Sequence, residues 1–356
     1  MSLQNQFTEF HNKIKISESK LSTLREKRDI VIEKLRDSGK LPSFEKLDLG
    51  SYSMNTGVEP CDRGENTKDY DIDVGLRFNV NTSEYEENPI ELKELIDEIL
   101  KDHTEYGSEI KQPCVTVKYK KDGELAYHLD LVVYAYEDKD DKNSQLYLSR
   151  GKNNSSKENK YWEKADPIGL KNLIIKKYEG DNSEEKEKRA QYRRVIKYLK
   201  RWKDVQFSSD GNNEPPGIGI TLLVYELFEP SEYDYLESRF IANDFEALKN
   251  VVFKIKNEFR DYYDFEKGVW YKKIEYKIPV EPYSNVFSKM TGAQMTRFWE
   301  KIDKLHDGLV EVSEESDLIK QCEKLAKLLG DDFPIPKKVD TSKKKSSAIA
   351  PSNVSG

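Results

Sequence analysis

The sequence predicts an α+β protein with two lobes, a sheet-based lobe followed by a helical lobe. Apolar and polar residues alternate as in strands before residue 165, and apolar residues follow helical spacing after it. The length of 356 residues exceeds that of most single domains and is enough to bury two cores. We expect an N-terminal bracing helix, a sheet-based core, a helical lobe and a disordered tail over residues 1–40, 41–165, 166–333 and 334–356, respectively.

Composition and charge exclude several classes of protein. Hydrophobic residues make up 36% of the chain, and no apolar run approaches the roughly 18 to 20 residues that a membrane span needs. The first ten residues, MSLQNQFTEF, lack the features of a signal peptide, so we expect a cytoplasmic protein without a membrane partner. The net charge of -7 argues against a surface that grips nucleic acid throughout, and we expect nucleic acid not to be required.

The first half is predicted to contain both helices and strands. Apolar residues between Phe7 and Leu35 predict one long amphipathic helix, or two helices broken near Ser17. Two strands follow, SFEKLDL and YDIDVGLRF, and then the helix ELKELIDEILK. The runs CVTVKYK and ELAYHLDLVVYAY predict a β-hairpin because they flank Asp122-Gly123, a pair typical of tight turns. These strands predict a mixed or antiparallel sheet.

Helical patterns dominate the second half. The predicted helices are PIGLKNLIIKKY, EKEKRAQYRRVIKYLKRWKDV, TLLVYELF, DFEALKNVVFKIKNEF and GAQMTRFWEKIDKLHDGLVEV. Polar segments over residues 138–160, 179–187 and 208–216 are predicted to be surface loops. The last segment, PIPKKVDTSKKKSSAIAPSNVSG, is poor in apolar residues, which predicts a disordered tail.

Two aspartates lie on the same face of the strand YDIDVGLRF. Residues two apart in a strand point the same way, about 6.5 to 7 Å apart, so Asp71 and Asp73 can converge on one hard cation. Asp130 interrupts the apolar strand HLDLVVY, and the register of the sheet can place it beside them. Three such carboxylates suit two Mg²⁺ ions that clamp a phosphoryl transfer. We therefore expect these three aspartates to be metal ligands and catalytic residues.

Three further residues are candidates for nucleotide binding. Gly50-Ser51 ends a predicted strand, and such a turn offers backbone N–H groups and a hydroxyl to phosphates. In YRRVIKYLKRWK, Lys200 lies at the edge of the apolar stripe, from which a lysine side chain can reach into a cleft. We expect Gly50, Ser51 and Lys200 to contact a triphosphate.

The order GSYSMNTGVEP, DYDIDVGLRF and HLDLVVYA resembles the polymerase β-like nucleotidyltransferase core. Within that superfamily it most resembles the bacterial cyclic GMP-AMP synthase-like and DncV-like nucleotidyltransferases (CD-NTases) of anti-phage CBASS systems. The segments WEKADPIGL, YRRVIKYLKRWKD and IPVEPYSNVFSKMT resemble the helical lobe of that family. The resemblance implies an enzyme that uses two Mg²⁺ ions to join NTPs, ATP or GTP or both, into a cyclic di- or trinucleotide second messenger for a downstream effector.

The resemblance also implies roles for single residues. Asp71 and Asp73 would hold the metal ions, Asp130 would align or deprotonate the attacking ribose hydroxyl, and Lys200 matches the triphosphate-binding lysine of the family. The chain departs from the family at PPGIGIT, where Gly217 would offer only its backbone N–H in place of a phosphate-binding serine.

Two expectations concern alternatives and partners. The same core could instead transfer NMP to RNA or protein, which is the alternative function. The family resemblance offers two roles for the tail ending at Gly356, joining to a target by an E1/E2-like conjugating enzyme or binding by a HORMA-type partner, and an inert solubilising tail is the remaining alternative. A terminal glycine favours conjugation, because no Cβ obstructs transfer of its carboxylate.

Overall fold

The structure is a computed structural model that describes residues 2–61, 70–121, 124–207, 213–231, 233–234 and 239–337. The predicted turn at Asp122-Gly123 and the tail beyond residue 337, with Gly356, lie outside the described residues. No helix in the described ranges is long and apolar enough to cross a membrane. The predicted fold class, an α+β protein with a sheet-based lobe and a helical lobe, is confirmed.

The N-terminal segment forms two helices, α1 (Leu3–Ile14) and α2 (Glu18–Asp37), rather than one long helix. The break falls near Ser17, as the interpretation with two helices predicted. The Ser17 side chain caps α2 by accepting a hydrogen bond from the Lys20 backbone N–H. The helices divide between the lobes: Phe7 and Phe10 of α1 are buried in the helical core, whereas Val31 of α2 is buried against the sheet.

A mixed sheet of seven strands forms the first lobe. Its order is β1-β2-β5-β4-β3, with β6 joining β5 to β7, and only the central pair, β2 and β5, is parallel among the described pairings. Helices α3 and α4 belong to this lobe. The bounds are β1 (Phe44–Asp48), α3 (Gly50–Ser53), β2 (Tyr70–Asn81), α4 (Glu91–Leu100), β3 (Ser108–Ile110), β4 (Val115–Lys121), β5 (Glu124–Tyr136), β6 (Leu146–Arg150) and β7 (Tyr161–Ala165).

One predicted loop of this lobe is wrong. The polar segment 138–160 contains β6, which pairs with both β5 and β7, and a 3-10 helix at Lys157–Asn159. The run LYLSR has only two buried apolar side chains, Leu146 and Leu148, on its alternating pattern. Its strand conformation is fixed by pairing with neighbours distant in sequence, which local composition does not reveal.

The helical lobe surrounds α6, whose predicted apolar stripe is fully buried. Asn182 caps this helix at Ser183, so the end of the predicted loop 179–187 is helical instead. Two short hairpins were not predicted. The elements are α5 (Pro167–Ile175), α6 (Ser183–Gln206), α7 (Gly217–Leu227), β8 (Tyr233–Asp234), β9 (Arg239–Phe240), α8 (Asp244–Glu258), β10 (Arg260–Asp264), β11 (Val269–Lys273), α9 (Gly292–Ser313) and α10 (Leu318–Leu329).

Candidate active site

The parallel pairing of β2 and β5 brings the three predicted aspartates together. Asp73 lies directly opposite Asp130, and Asp71 lies opposite His128. Side chains two residues apart in a strand share a face, so all four side chains are directed to one side of the sheet. That side forms the floor of a cleft of about 960 Å³, which α6 and α7 of the helical lobe also line. A cleft of this volume is large enough for nucleotides.

Asp73 is a partly buried acid in a tight position. Its pKa is raised to about 7, chiefly by burial and then by the carboxylates of Asp130 and Asp71, against the opposing ammonium group of Lys200. No described residue donates a hydrogen bond to this carboxylate. Gly50 packs against it with a φ of +68°, and a Cβ on Gly50 would lie 1.9 Å from Asp73 Oδ2. Only glycine therefore fits where β1 passes into α3.

The other two aspartates differ in their surroundings. Thr116 lies opposite Asp130 in the β4–β5 pairing, and its hydroxyl donates to Asp130 Oδ1 over 2.5 Å. Asp71 has a side chain that is 65% exposed, with His128 Nδ1 3.5 Å from its Oδ1. Thus Asp73 is partly buried without a described donor, Asp130 is hydrogen-bonded and Asp71 is open to solvent.

The helical lobe contributes Lys200 from α6. Its ammonium group is buried at the cleft and donates to the backbone oxygen and hydroxyl of Thr56, over 3.1 and 3.2 Å. Burial, with a smaller contribution from the nearby charge of Lys203, lowers the pKa of Lys200 to about 7. Gly217 begins α7 beside it, where an added Cβ would lie 4.0 Å from Lys200 Cε. The structure thus places both predicted phosphate-binding elements of this lobe at the same cleft as Gly50 and Ser51.

Sequence reasoning missed several residues of the cleft. Thr116 was not singled out, because only the register of the folded sheet sets it opposite Asp130. An ion pair between Arg150 and Glu163 lies on β6 and β7, with Arg150 Nε 2.7 Å from Glu163 Oε2. Lys111, in the turn between β3 and β4, also lines the cleft. Their positions depend on strands or turns whose partners are remote in sequence.

The three aspartates of the cleft floor are candidate ligands of a divalent cation. Among the described residues, no group of three or more His, Cys, Asp or Glu side chains is arranged to hold a metal ion as it stands. The chemistry of the donors nevertheless fits Mg²⁺, because the cleft floor presents carboxylate oxygens and Asp73 is a partly buried acid to which no described residue donates. A bound cation would stabilise the ionised form of that carboxylate.

The part of the chain that carries the three aspartates is similar to a family of nucleotidyltransferase domains. Residues 46–134, which contain all three aspartates, match the family described as "Cyclic GMP-AMP synthase DncV-like, nucleotidyltransferase domain". The predicted resemblance to the bacterial DncV-like nucleotidyltransferases is confirmed over this domain.

Known proteins extend the likeness beyond that domain. A cyclic GMP-AMP synthase of Escherichia albertii is 24% identical over 226 residues, which are 60% of this chain and 44% of that relative. The chain therefore matches less than half the length of this relative. Vibrio cholerae DncV in complex with the linear intermediate 5′ pppA(3′,5′)pG superimposes with a TM-score of 0.65 at 15% identity, covering 91% of this chain and 93% of DncV. The CdnC:HORMA-deltaN complex of Escherichia coli MS115-1 gives a TM-score of 0.62 at 15% identity, covering 93% and 98%. The chain therefore shares its fold with these two structures.

Proposed function

We propose that the protein is a Mg²⁺-dependent nucleotidyltransferase that makes a cyclic di- or trinucleotide from NTPs. One observation carries the proposal: the β2–β5 register sets Asp73 opposite Asp130, with Asp71 on the same face, in a cleft that Lys200 also lines. Acids on adjacent rigid strands facing a cation from the other lobe suit transfer of a nucleotide from a triphosphate.

The three aspartates would divide the chemistry among them. Asp71, Asp73 and Asp130 would hold two Mg²⁺ ions, which when bound neutralise charge on the phosphate undergoing attack. Thr116 occupies Asp130 Oδ1, which leaves Oδ2 to align the attacking ribose hydroxyl and accept its proton. The ribose oxygen then bonds to the α-phosphorus of the NTP, and the bond to pyrophosphate breaks. Further transfers of the same kind, one for a cyclic dinucleotide and two for a cyclic trinucleotide, each release pyrophosphate, and the last closes the ring.

Phosphate binding would use groups from both lobes. Gly50 and Ser51 would present backbone N–H groups and a hydroxyl, and the first backbone N–H groups of α7, which has no side-chain cap, would act from Gly217 onward. Lys200 would exchange its two hydrogen bonds to Thr56 for the oxygens of a triphosphate. Before the substrate arrives, the two hydrogen bonds to Thr56 keep the buried lysine paired.

The proposed role is in anti-phage defence, with ATP, GTP or both as substrates and an effector that binds the product. The DncV structure with a linear intermediate supports a reaction that proceeds one bond at a time. The CdnC complex with a HORMA protein supports a HORMA-type partner for this chain. Transfer of NMP to RNA or protein is the alternative, and the same three aspartates would serve it.

The test is incubation of the purified protein with Mg²⁺ and all four labelled NTPs, followed by phosphatase treatment and mass spectrometry. A phosphatase-resistant cyclic product is expected, absent when Asp71→Asn/Asp73→Asn replaces the wild type. Parallel reactions with added RNA or a protein mixture measure the alternative. Label transferred only to RNA or protein, with no small cyclic product when the HORMA-type partner is present, would overturn the proposal.

A further inference from the structure

One wall of the cleft is the turn between β3 and β4, residues 111–114. Lys111 N–H donates to the Cys114 oxygen over 2.8 Å, which closes this turn. Val115, the next residue, pairs with Leu131, the neighbour of Asp130. The turn therefore lies at the level of the candidate catalytic carboxylate, and Lys111 lines the cleft there.

Lys111 differs from the other cationic side chains of the cleft in having no partner among the described residues. Arg150 is paired with Glu163, and Lys200 donates to Thr56. Lys203 lies 3.1 Å from Asp204 and 3.4 Å from Glu214. The described residues place no acid within ion-pair distance of Lys111, although five aspartates line the same cleft. A cation in this position is available to an anionic ligand.

A second lysine holds this turn from behind. Lys93 of α4 is completely buried, and its Nζ donates to the backbone oxygens of Lys111, Gln112 and Gly151 over 2.8, 3.1 and 2.6 Å. All three N–H groups of the ammonium are thus used on carbonyls. Gly151 N–H also donates to the Gln112 oxygen over 3.1 Å, which ties the turn to the end of β6. A buried ammonium bonded only to the backbone fixes the path of two cleft-lining segments.

We propose that Lys111 is an additional phosphate-binding residue of the cleft and that Lys93 is its positioning residue. The ligand is the polyphosphate of a nucleoside triphosphate, so this inference rests on the proposed function. Lys111 meets the anion from the sheet lobe, whereas Lys200 meets it from the helical lobe. Lys93 never touches substrate and acts only through the backbone of the turn.

The role of Lys111 is tested by calorimetric binding of nonhydrolysable analogues of the four NTPs in the presence of Mg²⁺. Lys111→Ala is expected to weaken the tightest-binding analogue by roughly tenfold or more, because a charge-assisted contact is lost. Lys118→Ala is the matched control: it removes one lysine from the same hairpin, where Lys118 pairs with Glu109 over 2.7 Å outside the cleft. The control is expected to change the dissociation constant less than about twofold.

The role of Lys93 is tested by a double-mutant cycle. Lys93→Met is expected to weaken analogue binding by a few-fold in the wild-type background and to have no further effect in the Lys111→Ala background. Ile96→Ala, also in the buried core of α4, is the control for lost stability. It is expected to lower the melting temperature without changing analogue binding.

The outcomes separate this inference from the proposed function. A wild-type protein that binds none of the analogues contradicts the proposed function itself. Equal dissociation constants of the wild-type protein and Lys111→Ala for an analogue would overturn the assignment of Lys111. Additive effects of Lys93→Met and Lys111→Ala, or an equal loss of binding in Ile96→Ala, would show that Lys93 acts only on stability and would overturn its positioning role.

Discussion

Two aspartates, one in each lobe, have opposite surroundings. Asp244 in the helical lobe is completely buried and accepts hydrogen bonds from Arg194 Nε and Nη2 and from the Tyr198 hydroxyl, over 2.7, 2.9 and 2.7 Å. Asp73 in the sheet lobe has no described donor and two carboxylates as neighbours. The first arrangement is that of a structural acid, and the second is that of an acid kept for a ligand. The sheet lobe therefore tolerates an unfavourable charge arrangement that the helical lobe avoids.

The largest expected effect comes from removing the acids of the sheet lobe. Asp71→Asn with Asp73→Asn should abolish product formation, because the cleft loses two of the three aspartates proposed to hold Mg²⁺. The melting temperature should stay the same or rise, since like charges are removed from one another. Product yield by mass spectrometry and thermal unfolding of the same samples check this pair of outcomes. Synthesis at the wild-type rate would contradict the catalytic role of both residues.

The opposite result is expected for the structural acid. Asp244→Asn should lower the free energy of unfolding by about 3 to 5 kcal/mol, because partly buried Arg194 would keep only Glu187 as a counter-charge and a neutral amide cannot accept all the hydrogen bonds that the Asp244 carboxylate accepts. Urea denaturation measures the change. Glu109→Gln breaks the exposed pair with Lys118 and should cost less than about 1 kcal/mol. Similar losses in the two variants would remove the distinction between the acids.

The contact between Gly50 and Asp73 gives a prediction about geometry alone. Gly50→Ala should reduce activity by about a hundredfold, because the new Cβ would displace the Asp73 carboxylate. Gly39→Ala is the matched control, since Gly39 has a similar φ of +62° but an added Cβ would meet no atom within 4 Å. Steady-state rates of the two variants separate backbone strain from displacement of the acid. Equal rates would mean that the contact is unimportant.

Lys200→Ala should have the smallest of these effects and should act on binding. Loss of a charge-assisted phosphate contact is worth on the order of 1.5 to 3 kcal/mol, or about a ten- to hundredfold rise in KM. The turnover number should change less, because the acids of the sheet lobe remain in place. Initial rates at varied NTP concentration measure both constants. An unchanged KM would leave Lys200 as a residue that only connects the lobes through Thr56.

Local patterns were enough to predict the strands that carry the acids, but not all of their partners. Lys121 of β4 pairs with Glu124 of β5, and continuing that register would set Val115 opposite Asp130. The register shifts by one residue between Tyr119 and Lys121, so Thr116 takes that place. Sequence alone does not reveal such an irregularity, and a shift of one residue reverses which side chains face the cleft.

Contacts between remote segments account for the rest of what the sequence did not show. Lys200 was predicted to reach a cleft from the helical periodicity, but its partner Thr56 is 144 residues away. The carbonyls that hold Lys93 lie in two different loops, 18 to 58 residues away. The position of these groups depends on the assembled sheet, for which helical or strand periodicity carries no information.

The division of the two N-terminal helices between the lobes has a consequence for synthesis on the ribosome. The rings of Phe7 and Phe333 pack 5.2 Å apart, and those of Phe10 and Phe333 pack 5.1 Å apart, so the helical core joins the earliest and latest described segments. The sheet can assemble once residue 165 has emerged, but α1 must wait for α10 and the residues after it. Nascent chains that stop before residue 333 would carry all three aspartates, but the helical core that α1 joins would still be incomplete.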